Sequence, residues 1–374
     1  MTLPPADILL RAQIAGAQMA NYASRFVTNC WYVAAFASEV EHALLARTIL
    51  GRRLVLFRTN DGEVTAMDDR CAHRSFPLSQ SRLDGDTIVC GYHGFRYDRA
   101  GNCIEVPSLV RCPGNIGVRS FPIVERGPLV WIWMGNPEAA DPAEVPGLDW
   151  TLSQEWTLNA GYLHLEASYI GLHENLLDLT HIEFLHADTL GAGAPGYSMA
   201  PYSTEIAEGR YALNRTVEPA SIPAPFVKPM GFEGLTTGGR SVRSEFVTPG
   251  LHQLVARYYD SSKPADQRRE CLISTAHLPT PETHESTHYF IVNGRNFALG
   301  DEAVTASLHK GMFEAFAEDV EGLGKVQKVL SATPADRLYE ISVKSDTAAV
   351  AMRRYLKKLA QPKRPPETGA PVHL

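Results

Sequence analysis

Two short stretches constrain this chain more than anything else in it. Cys71-Ala72-His73 is followed, after 16 intervening residues, by Cys90-Gly91-Tyr92-His93. Each stretch supplies one thiol and one imidazole, so the fold has to bring two loops face to face around a small metal centre. The surrounding sequence suits that demand. From Asn29 to about Pro137, short apolar stretches (Trp31–Phe36, Arg53–Phe57, Thr87–Cys90, Leu129–Met134) alternate with turn signals at 60–62, 84–86, 99–102 and 126–128. Short strands at this spacing predict a small antiparallel barrel or sandwich. Each half of the pair then sits near a strand end.

A structural zinc ion accepts two Cys and two His, but zinc fingers commonly pair Cys with Cys and His with His. Here each half mixes them. That spacing matches a Rieske centre, in which two Cys bind one iron of a [2Fe–2S] cluster and two His bind the other. Arg74 and Gly94 stand alongside. Cys30, Cys103, Cys112 and Cys271 have no paired His and read as small buried hydrophobes. Six cysteines in 374 residues are too few for a disulfide scaffold.

A second constellation runs from Glu174 to His186. Tyr162–Leu185 contains no proline and reads as a long helix. Asn175, Asp178 and His181 recur every three residues and share one broad helical face among leucines. Polar groups in such surroundings need partners, and a metal with its supporting hydrogen bonds supplies them. His181 and His186 are five residues apart, about 140° around an ideal helix, so the helix is expected to distort between them, as a π-bulge would allow. Two His and one carboxylate form the facial triad of non-haem Fe(II) oxygenases, with positions left open for O₂. The carboxylate chosen is Asp319, in Phe316-Ala317-Glu318-Asp319, read as the start of a late helix. Glu318 is its direct competitor.

A chain of 374 residues exceeds the roughly 250–300 that one core supports, which predicts two domains. The reading is an amphipathic N-terminal helix at 1–28, an all-β domain at 29–137, a proline-bearing linker at 138–150, a catalytic domain at 151–360 and an irregular tail at 361–374. Within the catalytic domain, 191–240 reads as loops with short strands. Ser241–Val247, Leu251–Tyr259, Cys271–Leu278 and His288–Asn293 read as strands of one sheet, and 301–330 and 335–360 as helices. The fold class is α+β. The charge sum of 35 Lys+Arg against 42 Asp+Glu argues against a nucleic-acid partner. No apolar run reaches the roughly 18 residues of a membrane span. Arg11 and Gln13 break the first 26 residues as a signal sequence, so the expected location is the cytoplasm.

With both motifs in view, the chain resembles the oxygenase component of the Rieske non-haem iron oxygenases over almost its whole length. Within them it looks most like the vanillate and dicamba O-demethylase branch. Asn29-Cys30-Trp31-Tyr32-Val33-Ala34, the run His277–Thr283, His288-Tyr289-Phe290, Arg295-Asn296-Phe297 and Glu318-Asp319 carry that likeness. The resemblance implies a Rieske domain followed by a catalytic domain of helix-grip type. It also implies a head-to-tail homotrimer, in which the cluster of one subunit lies beside the mononuclear Fe(II) of its neighbour. Asp178 would bridge the neighbour's His93 to its own His181.

The implied activity is that of the terminal oxygenase of a multicomponent monooxygenase. It would use O₂ for oxidative O- or N-dealkylation of a small aromatic compound. The alternative is ring hydroxylation or dihydroxylation with the same centres. Electrons would come from a separate reductase, with or without a ferredoxin, since no Gly-rich dinucleotide fingerprint is present. His277 is the candidate substrate anchor: strand alternation puts it on the opposite face from Ala276 and Leu278, and the likeness to demethylases selects it. Asn175 is assigned to the substrate site with it. Gly322 and Gly324 each cost about 1 kcal/mol of helix propensity after Asp319. The Gly-rich stretch Leu190–Gly196 receives no role.

Overall fold

Strands form in the first third wherever apolar and β-branched residues run between glycine turns. The computed structural model describes residues 6–190, 196–222, 224–235 and 237–361. After α1 (Ala6–Ala17) come β1 (Trp31–Phe36), β2 (Leu45–Ile49), β3 (Arg52–Arg58), β4 (Val64–Asp68) and β5 (Arg82–Asp84). These are followed by β6 (Thr87–Val89), β7 (Arg96–Tyr97), β8 (Cys103–Glu105), β9 (Ile123–Arg126) and β10 (Leu129–Trp133). They pair as three antiparallel sheets, β1-β10-β9, β2-β3-β4 and β5-β6-β7-β8. Gly62, Gly85, Gly101 and Gly127 occupy the expected turns at positive φ. Tyr32, Leu54, Leu56, Val130 and Ile132 fill the core between the first two sheets.

The remainder is built on one antiparallel sheet of seven strands. These are β11 (Thr157–Leu165), β12 (Tyr202–Ala207), β13 (Arg210–Ala220), β14 (Gly238–Thr248), β15 (Leu251–Asp260), β16 (Cys271–Pro281) and β17 (Thr287–Arg295). Their order is β11-β17-β16-β15-β14-β13-β12. Four helices accompany them: α2 (Tyr169–Leu176), the single turn α3 (Ala224–Val227), α4 (Glu302–Ala332) and α5 (Thr347–Leu359). Helix α4 packs Leu308, Met312 and Phe316 onto one face of the sheet. It comes close because Gly161 has no Cβ; one built there would lie 2.4 Å from the Phe313 ring.

The opposite face of the sheet rests on the N-terminal domain. Ala276, Leu278, Phe290 and Val292 interleave with Trp31, Val33, Trp131 and Trp133. Main-chain bonds from Leu50 to Pro281 and from Gly51 to Glu282, both 2.7 Å, tie the two parts together. The proline-bearing stretch after Trp133 forms short 3₁₀ turns and buries Val145 and Leu148 in the same seam. The α+β class and the expected strands at 241–293 stand.

Several expectations are corrected. Tyr162–Leu185 is not one helix. Gly161, Leu163 and Leu165 turn inward while Ala160, Tyr162 and His164 face out, and this period of two makes 157–165 an edge strand paired to β17. Residues 202–220 are one long hairpin rather than loops with short strands, since the Gly and Pro residues mostly flank it and Gly209 (φ 77°) forms its turn. Helix α1 is shorter than 1–28 and only weakly amphipathic in place, with Ile8, Leu10 and Ile14 exposed. The second C-terminal helix starts at Thr347, not 335. Asp319 lies in the middle of the 31-residue α4, not at a helix start. The helix runs unbroken through Gly322 and Gly324 because it is packed along its length. Residues 362–374, the bulk of the expected tail, and 191–195, within the Gly-rich stretch, lie outside the described residues.

Candidate metal centres

Two turns of the same design hold the first four candidates. In each, the cysteine N–H donates to the carbonyl of a phenylalanine five residues on: Cys71 to Phe76 at 2.9 Å and Cys90 to Phe95 at 2.8 Å. In each, the cysteine carbonyl accepts from the residue four on, Ser75 or Gly94, at 3.0 Å. Ser75 (φ 59°) and Gly94 (φ 73°) both take the left-handed conformation that closes the turn, strained for serine and free for glycine. The turns point the thiols inward and the rings outward. Cys71 and Cys90 are buried, His73 and His93 are exposed, and the two imidazole centres stand 4.6 Å apart. Tyr97 Oη lies 3.1 Å from Cys71 Sγ and accepts the Ala72 N–H at 3.1 Å. Its hydroxyl proton is thereby free for the sulfur, a contact of the kind that tunes cluster potentials. Burial pushes the Cys90 thiol up, and the neighbouring Cys71 adds to it.

The spacing of these donors distinguishes the two metal readings. A single tetrahedral zinc with bonds of about 2.0–2.3 Å would hold its ligands within roughly 4 Å of each other. Among the described residues, the only three or more His, Cys, Asp or Glu side chains whose donor atoms all lie within 4.8 Å of one another are His181, His186 and Asp319. The Cys71/His73/Cys90/His93 set is too wide for one ion. It fits a two-iron cluster.

The second centre is irregular. Helix α2 stops at Leu177, and Asp178 leaves the helical region altogether (φ −125°, ψ 100°). The Asp178 carboxylate caps the next turn by accepting the Thr180 N–H at 2.9 Å, the role that suits Asp at a helix start. A 3₁₀ segment, Leu179–Glu183, then leads to His186. This break, not a π-bulge, brings His181 and His186 together, with ring centres 5.2 Å apart. Gly322 on α4 lets the segment sit close, since a Cβ there would be 3.3 Å from Leu185.

Both rings have Nδ1 engaged from behind. His181 Nδ1–H donates to the Asp178 carbonyl at 2.5 Å, and His186 Nδ1–H to Glu318 Oε2 at 2.7 Å. These partners assign the tautomers and leave both Nε2 atoms as acceptors. They face Asp319 Oδ1 at 3.6 and 3.2 Å. Three acceptors therefore converge with no proton of their own between them, an arrangement that calls for a cation. Burial alone would lower the His186 pKa, but the Asp319 and Glu318 carboxylates outweigh it and raise it. His181 is lowered, chiefly by burial. Asn175 Nδ2 donates to Asp319 Oδ1 at 3.0 Å and Thr189 Oγ1 to Glu318 Oε2 at 2.7 Å. Glu318 is thus not a rival of Asp319 but the support of His186, as carboxylates commonly are behind metal-bound imidazoles.

A cavity of about 70 Å³ opens beside this group, lined mainly by apolar side chains such as Leu176, Ile182, Val242 and Phe316. His277 projects into it, opposite Ala276 and Leu278 as alternation requires. Its Nδ1 lies 2.5 Å from Tyr289 Oη. Nε2 is buried without a partner, and burial pushes the pKa down to about 3, so the ring is neutral. Asn175 also lines the cavity, with Oδ1 unpartnered. The structure gathers Asn175, His181, His186, His277 and Asp319. The carboxylate of Asp178 is directed instead to Thr180, and only its main-chain carbonyl touches His181. Arg240 also lines the cavity and was not anticipated, because Gly238 and Gly239 before it read as loop; the alternation Arg240, Val242, Ser244 carried the signal.

Comparison with known proteins agrees with this geometry. Residues 30–122 match the Rieske [2Fe-2S] domain, and residues 165–362 the vanillate O-demethylase oxygenase C-terminal domain. The iron-sulfur subunit of the toluene-4-sulfonate monooxygenase system of Comamonas testosteroni is 34% identical, over 83% of this chain and 90% of its own. A crystal structure of dicamba monooxygenase bound to 3,6-dichlorosalicylic acid superposes with a TM-score of 0.83 at 29% identity, covering 90% of this chain and 98% of that one. Another, with non-heme iron and dicamba, gives 0.75 at 28% with the same coverage.

Proposed function

The chain belongs to the Rieske non-haem iron oxygenases with a vanillate O-demethylase type C-terminal domain, and from that premise we propose that it is the terminal oxygenase of a multicomponent monooxygenase. Its reaction is the oxidative O- or N-dealkylation of a small aromatic compound. The observation that carries the reading is the convergence of His181, His186 and Asp319 at the wall of a mostly apolar cavity, in a chain that also holds the paired Cys and His turns.

Cys71, Cys90, His73 and His93 hold the [2Fe–2S] cluster, and His181, His186 and Asp319 hold the mononuclear iron. When bound, the first supplies single electrons and the second activates O₂. The protein's own share is positional. Glu318 and the Asp178 carbonyl fix the two imidazoles with Nε2 forward. Asn175 restrains Asp319. The apolar lining excludes water, and the free edge of His277 orients the substrate. No helix among the described residues is long and apolar enough to cross a membrane.

The electron donor is a separate reductase, alone or through a ferredoxin, as membership of a monooxygenase system in the relatives suggests. The working assembly is a head-to-tail homotrimer, with the division of the chain falling at 138–150. Exposed apolar side chains beside both centres support it: Tyr92, Leu109 and Val110 near the cluster turns, Phe184 and Leu185 beside the histidine segment. In that assembly Asp178, half-exposed next to His181, meets the neighbour's His93.

The test is purified enzyme with a reductase and a panel of O- and N-methyl aromatics. Three irons per chain and release of formaldehyde are expected. Two irons per chain would leave only an electron carrier. A hydroxylated product with its methyl group intact would replace dealkylation with ring hydroxylation.

A further inference from the structure

Helix α2 ends where the mononuclear centre begins, and a buried polar chain fastens its last turn to the sheet. Leu176 closes the helix, so its carbonyl has no N–H of the helix to accept, as at any helix C-terminus. Ser244 Oγ on β14 donates to it at 2.6 Å. Three more links follow. Ser244 Oγ meets His252 Nε2 on β15 at 2.9 Å, and His252 Nδ1 faces His173 Nδ1 on α2 at 3.3 Å. His173 Nε2 meets the carbonyl of Pro249, in the turn between β14 and β15, at 3.1 Å. All three side chains are fully buried, with the rings of Tyr169 and Phe246 set edge-on to His173.

The four links need four protons, and a serine with two neutral imidazoles carries three. Burial holds the His173 pKa down to about 4 and that of His252 well below its ordinary value, so both rings are neutral. The distances show where the shortfall lies. His173 Nε2–H donates to Pro249, His252 Nε2–H to Ser244 Oγ, and the Ser244 hydroxyl to Leu176. The 3.3 Å link, the longest of the four, is left with two Nδ1 lone pairs face to face. The outcome is a directed chain from His252 N–H through Ser244 O–H to the Leu176 carbonyl, in which each bond polarises the next. Polar groups in an apolar layer are costly unless bonded. A satisfied network of them fixes one arrangement where an apolar filling would allow several.

The arrangement fixed here is the last turn of α2. Asn175 stands directly before Leu176. Its Nδ2 donates to Asp319 Oδ1 at 3.0 Å, and among the described residues its Oδ1 has no partner. Nothing else steers that side chain, so the amide points where the helix end points it. We propose that Ser244, oriented by His252 and His173, is a positioning residue of the mononuclear centre: by holding the Leu176 carbonyl it sets the Asn175 amide that restrains Asp319. The proposal rests on the reading of His181, His186 and Asp319 as iron ligands and extends that site to a strand that supplies none of them.

Equilibration of the enzyme with a graded ferrous chelator, read as iron held beyond the two irons of the cluster, tests this. Ser244→Ala should weaken mononuclear iron binding about tenfold, the lower end of the range for groups behind a metal ligand, with the cluster spectrum unchanged. Ser244→Thr keeps the hydroxyl and should restore wild-type affinity. Ser244→Cys, a weak donor of similar shape, should fall between and carries the test if the Ala variant fails to fold. A double-mutant cycle separates positioning from general loosening: in an Asn175→Ala background, adding Ser244→Ala should weaken binding no further. Wild-type affinity in Ser244→Ala, or in Ser244→Cys where that variant carries the test, overturns the proposal. So does an equal loss in Ser244→Thr, or a tenfold loss that persists in the Asn175→Ala background. A wild type that holds only two irons would remove the iron reading itself and the proposal with it, whereas three irons with no effect of Ser244 removes the proposal alone.

Discussion

The two metal centres of this chain are made in opposite ways. The cluster site is one turn used twice, with the same two main-chain hydrogen bonds at Cys71 and at Cys90 and the same left-handed residue, Ser75 and Gly94. The mononuclear site has no such symmetry. It joins a helix that breaks at Asp178 to the middle of α4, with 132 residues between His186 and Asp319. A site repeated from one local motif depends on its own turns. A site assembled across the chain depends on the packing between α4 and the sheet, and every ligand needs a partner behind it.

The largest effect should come from the local site. Cys71→Ser or His93→Ala removes a proposed cluster ligand, and the visible Rieske absorbance should vanish while mononuclear iron stays near one per chain. If iron at the second centre falls with it, the two sites are not independent and the contrast fails. Asp319→Ala should do the converse: turnover stops and mononuclear iron drops toward zero, with the cluster spectrum unchanged. Glu318→Gln sharpens the comparison, since of the three converging side chains Glu318 is hydrogen-bonded to His186 alone, its other partner being Thr189. Loss of such a support typically costs 10–100-fold in metal affinity, and iron titration of the variant reads it directly.

Asp178→Asn probes the join between the centres. The amide can still cap Thr180 but cannot act as a charged acceptor for a neighbour's imidazole, a difference of roughly 10–100-fold if the bond is charge-assisted. Both irons and the proposed trimer should persist, and cluster reoxidation in a single turnover should slow by that factor. Reoxidation at the wild-type rate would confine Asp178 to its capping role. The smallest effect is expected for His277→Ala, where KM rises by about tenfold, in line with one neutral hydrogen bond, and both centres keep their metal. An unchanged KM on a turned-over substrate would remove His277 from substrate binding.

The same contrast explains what the sequence disclosed. The cluster turns were legible because ligand spacing within each is fixed by a handful of adjacent residues. The strands around them were legible because Gly62, Gly85, Gly101 and Gly127 mark their turns. His181 and His186 were legible as residue types, but their local shape was not: helical spacing of Asn175, Asp178 and His181 hid the extended residue that Asp178 becomes when its side chain caps Thr180. Edge strand β11 was lost for a related reason. Its outward Tyr162 and His164 suit a helix as well as a strand, and only pairing with β17 decides. Glu318 and Asp319 are adjacent acids on α4, and nothing in their order says which one faces the iron ligands and which lies behind His186.

The seven-stranded sheet separates two sets of positions along the same strands. On β16, Ile273, Thr275 and His277 line the cavity, while Ala276 and Leu278 are set into the tryptophan-rich seam with the N-terminal domain. Because neighbours in sequence face opposite sides, substrate scope can be redesigned at alternate residues without disturbing how the electron-delivering domain is seated. Selection acting on the pocket has the same freedom: a new preference can arise one side chain at a time, on a wall whose other surface stays fixed.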